Sequence, residues 1–172
     1  MPNMEQAVAN HNKKILNKEN QIEDPPCNCR GGMQNCPVDG KCKIEGVVYK
    51  AKISETSTGV EKHYIGMTGR SFKRRWDEHK TNFNKKPDKR NPTKYTPSLY
   101  THVWDLRDKG VAHTIEWEIL DRGQTYSPVT RKCMVCLKEK YHILYSDLNI
   151  LNKRDEIFSR CRHLDKKRLN PG

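Results

Sequence analysis

Val47-Val48-Tyr49-Lys50-Ala51-Lys52-Ile53 and His63-Tyr64-Ile65-Gly66-Met67 decide the fold. The first run is β-branched and half alternating. The second resumes after a loop from Thr56 to Glu61 that contains Gly59. Two such runs joined by a glycine-bearing loop read as a β-hairpin. Side chains alternate across a strand, so Val47, Tyr49 and Ala51 share one face, and Tyr64 shares a face with Gly66. With ordinary hairpin pairing the two phenols meet, and Gly66 leaves the sheet surface open to close approach by a ligand.

Downstream, Ser71 can cap a helix. Phe72, Trp76 and Phe83 fall on one helical stripe. Arg75 and His79 stand at i, i+4 beside it, where they could look across the sheet edge. After a polar loop over 84–95, Thr96-Pro97 reads as a cap followed by proline at the first helical position. Leu99, Val103 and Leu106 continue that helix and Gly110 stops it. Thr114-Ile115-Glu116-Trp117-Glu118-Ile119-Leu120 alternates and reads as a third strand. Leu137, Tyr141, Leu144, Tyr145 and Leu148 recur at helical spacing, and a short helix is expected after Asn152. The expected order is β-β-α-α-β-α-α, an α+β domain with a small three-stranded antiparallel sheet flanked by helices.

The chain of 172 residues carries a formal charge of +12 and is 34% hydrophobic. Residues 1–26 are polar and read as a disordered tail or linker. Residues 27–43 are cysteine-rich, 44–158 form the domain, and 159–172 are a basic C-terminal segment. No apolar run approaches the roughly 18 residues of a membrane span. No basic-then-apolar leader opens the chain. These features point to a soluble, intracellular protein without a membrane partner. The charge favours a polyanionic partner.

Seven cysteines in such a chain suit metal ligation better than disulfides. With His163 they make eight ligands, enough for two tetrahedral zinc sites. Cys133-x-x-Cys136 with Cys161-x-His163 has the better spacing. Cys27, Cys29, Cys36 and Cys42 form a possible second site, since Cys-x-Cys is a poorer bite. Mixed sets, such as Cys36 and Cys42 with Cys161 and His163, remain compatible with the spacing, as do buried thiols without metal. Any zinc held this way would be structural.

The basic residues concentrate between Arg70 and Lys94, where ten lysines and arginines face three acids. Arg70, Lys73, Arg74, Lys80, Lys85, Lys86, Lys89 and Arg90 are candidate contacts to a nucleic-acid backbone. Such contacts give affinity without sequence information. Arg160, Arg162, Lys166, Lys167 and Arg168 form a second cluster.

Val47-Val48-Tyr49 followed by Tyr64-Ile65-Gly66 resembles the paired signature of GIY-YIG nucleases. Phe72-Lys73-Arg74-Arg75-Trp76-Asp77-Glu78-His79 is similar to the helix that follows in that family. Glu139 and Asn152 match its downstream glutamate and asparagine. The likeness spans roughly residues 44–155. Within the superfamily it is strongest to the endonuclease domain of Penelope-like retroelements. There the marks are Cys36-Pro-x-x-Gly-x-Cys42, Cys133-x-x-Cys136-Leu-x-Glu139-Lys140, and Leu151-Asn152-Lys153-Arg154 with Cys161-Arg162-His163. Two departures stand out. Gly46 lies one place earlier before Tyr49 than the family glycine does, and the loop over 50–63 is longer than in many members.

The resemblance implies a metal-dependent DNA endonuclease that nicks target DNA for retroelement insertion. Its partners would be DNA, a reverse transcriptase and element RNA, and its location nuclear. Glu139 would hold Mg²⁺ or Mn²⁺ against the phosphate. Tyr49 would act as general base or orient water, and Tyr64 would position water or phosphate. Arg75 would stabilise developing charge. His79 would relay a proton or bind phosphate, and Asn152 would hydrogen-bond near the site. The alternative is a catalytically inactive, zinc-stabilised nucleic-acid-binding module.

Overall fold

A computed structural model describes residues 24–86, 97–131 and 133–152. Three strands, β1 (Glu45–Glu55), β2 (Glu61–Ser71) and β3 (His113–Arg122), form one antiparallel sheet in the order β2-β1-β3. Three helices accompany them: α1 (Phe72–Phe83), α2 (Ser98–Asp108) and α3 (Met134–Leu144). The protein is therefore α+β, as the alternating and helical periods predict. Each strand runs past its expected ends, because the ladder continues through polar residues such as Glu45, Glu55 and Glu61 that carry no apolar signal.

Register places the first motif. Tyr49 pairs with Gly66 on one side and Ile119 on the other, and Ala51 pairs with Tyr64 and Trp117. Tyr49, Tyr64, Gly66 and Trp117 thus share one sheet face. α1 and α2 cover that face through Phe72, Phe83, Leu99, Val103 and Leu106. On the opposite face, Val48 and Ile65 pack against Val135 and Ile143 of α3. Burying each such side chain contributes about 1.5–3 kcal/mol.

Gly46 sits at φ +66 in a bulge where the β1–β2 register shifts. A Cβ there would lie 2.4 Å from the Gly123 carbonyl oxygen. The early glycine is thus explained locally: it lets β1 bulge and close against the end of β3.

Three helix expectations change. Ser71 precedes α1 but makes no side-chain cap bond. Carbonyls from the preceding segment take that role, as described below. α2 starts at Ser98 with Pro97 as its cap residue, one place later than expected; Thr96 lies outside the described residues. The Leu137/Tyr141/Leu144/Tyr145/Leu148 stripe faces solvent, with Leu137 58%, Tyr141 57% and Tyr145 73% exposed. α3 instead buries Val135, Cys136 and Ile143. Gly110, at φ +70, ends α2 as expected, with the Val111 N–H donating to the Leu106 carbonyl at 2.9 Å. The polar tail, the expected helix after Asn152 and the basic C-terminal segment lie outside the described residues. Among the described residues, no helix is long and apolar enough to cross a membrane.

Candidate active site and metal centre

Beneath α1 lies a buried polar cluster centred on Tyr49, whose side chain is fully enclosed. Its Oη is 2.7 Å from His79 Nε2. Arg75 donates its Nε–H to the same oxygen at 3.1 Å. Arginine can only donate, so Oη accepts from Arg75.

Burial holds His79 neutral. Desolvation, then the nearby Arg75 charge, pulls its pKa down to about 3. Aromatic rings enclose it: Phe83 stacks at 6.1 Å and Trp117 lies at 5.2 Å. His79 therefore belongs to the buried stripe of α1 with Phe72 and Phe83, whereas Trp76 is only half-buried. That corrects the expectation that histidine stands beside the stripe. A neutral, partnered imidazole stabilises the core much as an aromatic ring does, while its Nε2 bonds Tyr49 Oη.

Arg75 is the cluster's route to solvent, with a side chain 21% exposed. Burial opposes its charge, but the Tyr49 oxygen and then Glu78 outweigh that, so the guanidinium stays charged. Glu78 accepts from Arg75 at 3.0 Å and also pairs with Arg70. It thus fixes the fork while Nε points at Tyr49. Glu78 and Trp117 were missed by sequence reasoning. Alternation does place Trp117 on the Tyr49 face, and Glu78 lies three residues after Arg75 on the same helix.

Tyr64 completes the face, with its ring 6.3 Å from that of His79. The space above Gly66 is filled rather than open to a ligand. A Cβ there would lie 2.6 Å from Tyr49 Oη and 2.9 Å from the Tyr64 ring. Glycine is needed because both phenols cross the strand at that point.

Asn152 holds the same strand from its edge. Its Oδ1 accepts the Ile65 N–H at 2.9 Å and its Nδ2 donates to the Ile65 carbonyl at 2.8 Å. Together with Asn149 and Leu151 bonding to the His63 backbone, it extends the ladder beside β2. Its amide thus positions Tyr64 and Gly66 through the Ile65 backbone. Glu139 is half-buried on α3, four residues from both Val135 and Ile143. It is carried by the helix on the opposite sheet face from α1.

Among the expected backbone contacts, Arg74, Lys80, Lys85 and Lys86 are exposed and Lys73 is half-buried. Lys80 lies over the Trp76 ring at 3.5 Å and pairs with Asp77, and Lys86 pairs with Asp108. Near the start of α1, Lys43, Lys73 and Arg74 line a groove of about 480 Å³ with Glu45 and Asp77, so its charge is mixed. Lys89 and Arg90 lie outside the described residues.

Cys27, Cys29, Cys36 and Cys42 converge, with all four sulfurs within 4.8 Å of one another. Two separations are 3.7 Å (Cys29–Cys42) and 3.5 Å (Cys42–Cys27). A disulfide needs about 2.05 Å. A tetrahedron with Zn–S near 2.3 Å spaces its sulfurs by about 3.8 Å. The set is thus positioned to hold a metal ion, and it fits structural zinc. Tight turns bring it together: Gly31, Gly32, Asp39 and Gly40 all have positive φ. The Cys29 N–H, bonded to the Cys27 sulfur at 3.3 Å, draws that thiol down to about 7, whereas burial pushes Cys42 up to about 12. Binding a divalent ion would displace the remaining protons. Among the described residues, the set that spacing ranked second is the one gathered. Cys133 is half-buried and Cys136 buried at the start of α3, while Cys161 and His163 lie outside the described residues.

No family model, curated protein or solved structure matches the chain.

Proposed function

We propose that this chain is a metal-dependent DNA endonuclease of the GIY-YIG kind, a phosphodiester hydrolase. The observation that carries the reading is the Tyr49 hydroxyl held between His79 Nε2 at 2.7 Å and Arg75 Nε at 3.1 Å. A tyrosine that serves only packing does not require a half-buried arginine and a neutral histidine on one oxygen.

In this reading a phosphate meets Arg75 first, because that guanidinium reaches solvent. Its planar fork suits phosphate oxygens. Tyr49, directly behind it, handles the proton of the attacking water. His79, which burial holds neutral, keeps that hydroxyl in place through the 2.7 Å contact as charge develops on Oη. Arg75 stabilises that charge together with the charge developing on the phosphate. Tyr64 positions the water or phosphate, and Asn152 holds the strand that carries it. Glu139 supplies a hard carboxylate oxygen suited to Mg²⁺ or Mn²⁺. When bound, such an ion polarises the phosphate and stabilises the leaving oxygen.

The partner is DNA, reached through Arg74, Lys80 and Lys85. Action in the nucleus beside a reverse transcriptase and its RNA belongs to the same proposal, on the likeness to Penelope-type domains. The test is nicking of supercoiled plasmid with Mg²⁺ or Mn²⁺, with Glu139→Ala as the control. Cutting by wild type and none by the variant supports the reading; equal cutting refutes the site.

A second reading, a zinc-stabilised nucleic-acid-binding module without catalysis, draws on one observation: Glu139 and the Tyr49 cluster ride on helices packed against opposite sheet faces. It predicts salt-sensitive binding and intact plasmid.

A further inference from the structure

We infer that the four-cysteine metal centre is a positioning element for the Tyr49 cluster, acting through the first turn of α1. The inference deepens the nuclease reading, since it gives the metal loop a task at that site.

The first N–H groups of a helix lack partners within it. Ser71 provides no side-chain cap for α1. The Phe72 N–H donates instead to the Ile44 carbonyl at 3.0 Å, and the Lys73 N–H to the Cys42 carbonyl at 2.6 Å. Cys42 is itself one of the four sulfur ligands. Lys73 adds a second anchor. Its Nζ donates to the Asn28 carbonyl at 3.0 Å and to Asn28 Oδ1 at 2.8 Å. Asn28 lies between Cys27 and Cys29. Both ends of the ligand set therefore grip one helical turn.

That turn aims the cluster. Phe72 is fully buried and meets the Tyr49 ring edge-on at 5.3 Å. Arg75 follows three residues later and His79 seven, a rise of about 10 Å along a rigid helix. The loop has little core of its own: Val38 and Ile44 are buried, whereas Met33 is 67% exposed. Metal–sulfur bonds would have to order such a segment. Losing them releases the Cys42 carbonyl and Asn28, frays the first turn, and loosens Arg75 and His79 on Tyr49.

The test is amide hydrogen exchange on the full chain, zinc-loaded and zinc-stripped by chelator. Stripping should speed exchange of the Phe72–His79 amides about tenfold or more relative to the β1–β2 ladder. Unchanged protection in α1, or equal loss throughout the sheet, overturns the inference. Coupling is reciprocal, so Lys73→Ala should weaken binding of one zinc equivalent about tenfold in chelator competition. Unaltered zinc affinity also overturns it. Neither readout uses DNA cleavage, so failure here is distinguishable from failure of the nuclease reading.

Discussion

Tyr49 Oη and His79 Nε2 meet at 2.7 Å in a site that encloses both side chains. Thirty residues separate them. The pair therefore ties α1 to β1, and the same hydroxyl accepts from Arg75.

Removing that hydroxyl tests both roles. Tyr49→Phe keeps the ring but leaves His79 Nε2 and Arg75 Nε without their shared oxygen. Unsatisfied buried groups cost about 1–3 kcal/mol, so urea unfolding should show a loss of that order. Stability equal to wild type contradicts the assigned bond.

Acid should weaken the fold through His79. Its folded pKa is about 3, below the unfolded value near 6.5. The unfolded chain thus binds a proton that the folded chain refuses. Full stability is present above about 6.5, and it falls as pH drops from there toward 3. The slope from one such group reaches about 1.4 kcal/mol per pH unit. His63 and His102 are also pushed down by burial and add to it. Denaturant titrations of wild type and His79→Gln at pH 7 and 5 separate the contributions. The variant should lose less stability over that interval; an identical loss contradicts the assignment.

Gly66→Ala should be severe for so small a change. The added methyl lies 2.6 Å from Tyr49 Oη and 2.9 Å from the Tyr64 ring. Overpacking of this kind costs about 1–3 kcal/mol. Thermal melting should show it, and DNA nicking should fall with it. A neutral melting temperature would mean that the rings do not cross Gly66.

Zinc content checks the sulfur tetrahedron. Changing Cys27 and Cys29 together to serine should remove one zinc equivalent per chain. Both are half-buried, so the change spares the enclosed Cys42. Elemental analysis showing no difference excludes zinc from this set.

Much of this site is legible in sequence because strands alternate strictly. Period two groups Tyr49 with Val47 and Ala51, and Tyr64 with Gly66; ordinary hairpin pairing then brings both groups to one face, as the register shows. Helices leave more freedom. α3 carries two apolar stripes, one of leucines and tyrosines and one of Val135, Cys136 and Ile143. Period alone does not tell which of them a sheet covers. His79 reads as polar because its burial depends on the Trp117 ring of β3 and on a phenol thirty residues away. The cap on α1 is equally hidden, since carbonyls provide it and backbone atoms carry no residue signature.

The central claim is that the Tyr49 hydroxyl handles a proton in phosphodiester cleavage. It is tested most directly by single-turnover nicking of plasmid by Tyr49→Phe, with Mg²⁺ and at matched zinc content. The account predicts a rate lower by about 10²–10⁴-fold, the usual size of a general acid–base contribution, with DNA affinity retained. A variant that folds, binds DNA and nicks at the wild-type rate contradicts it.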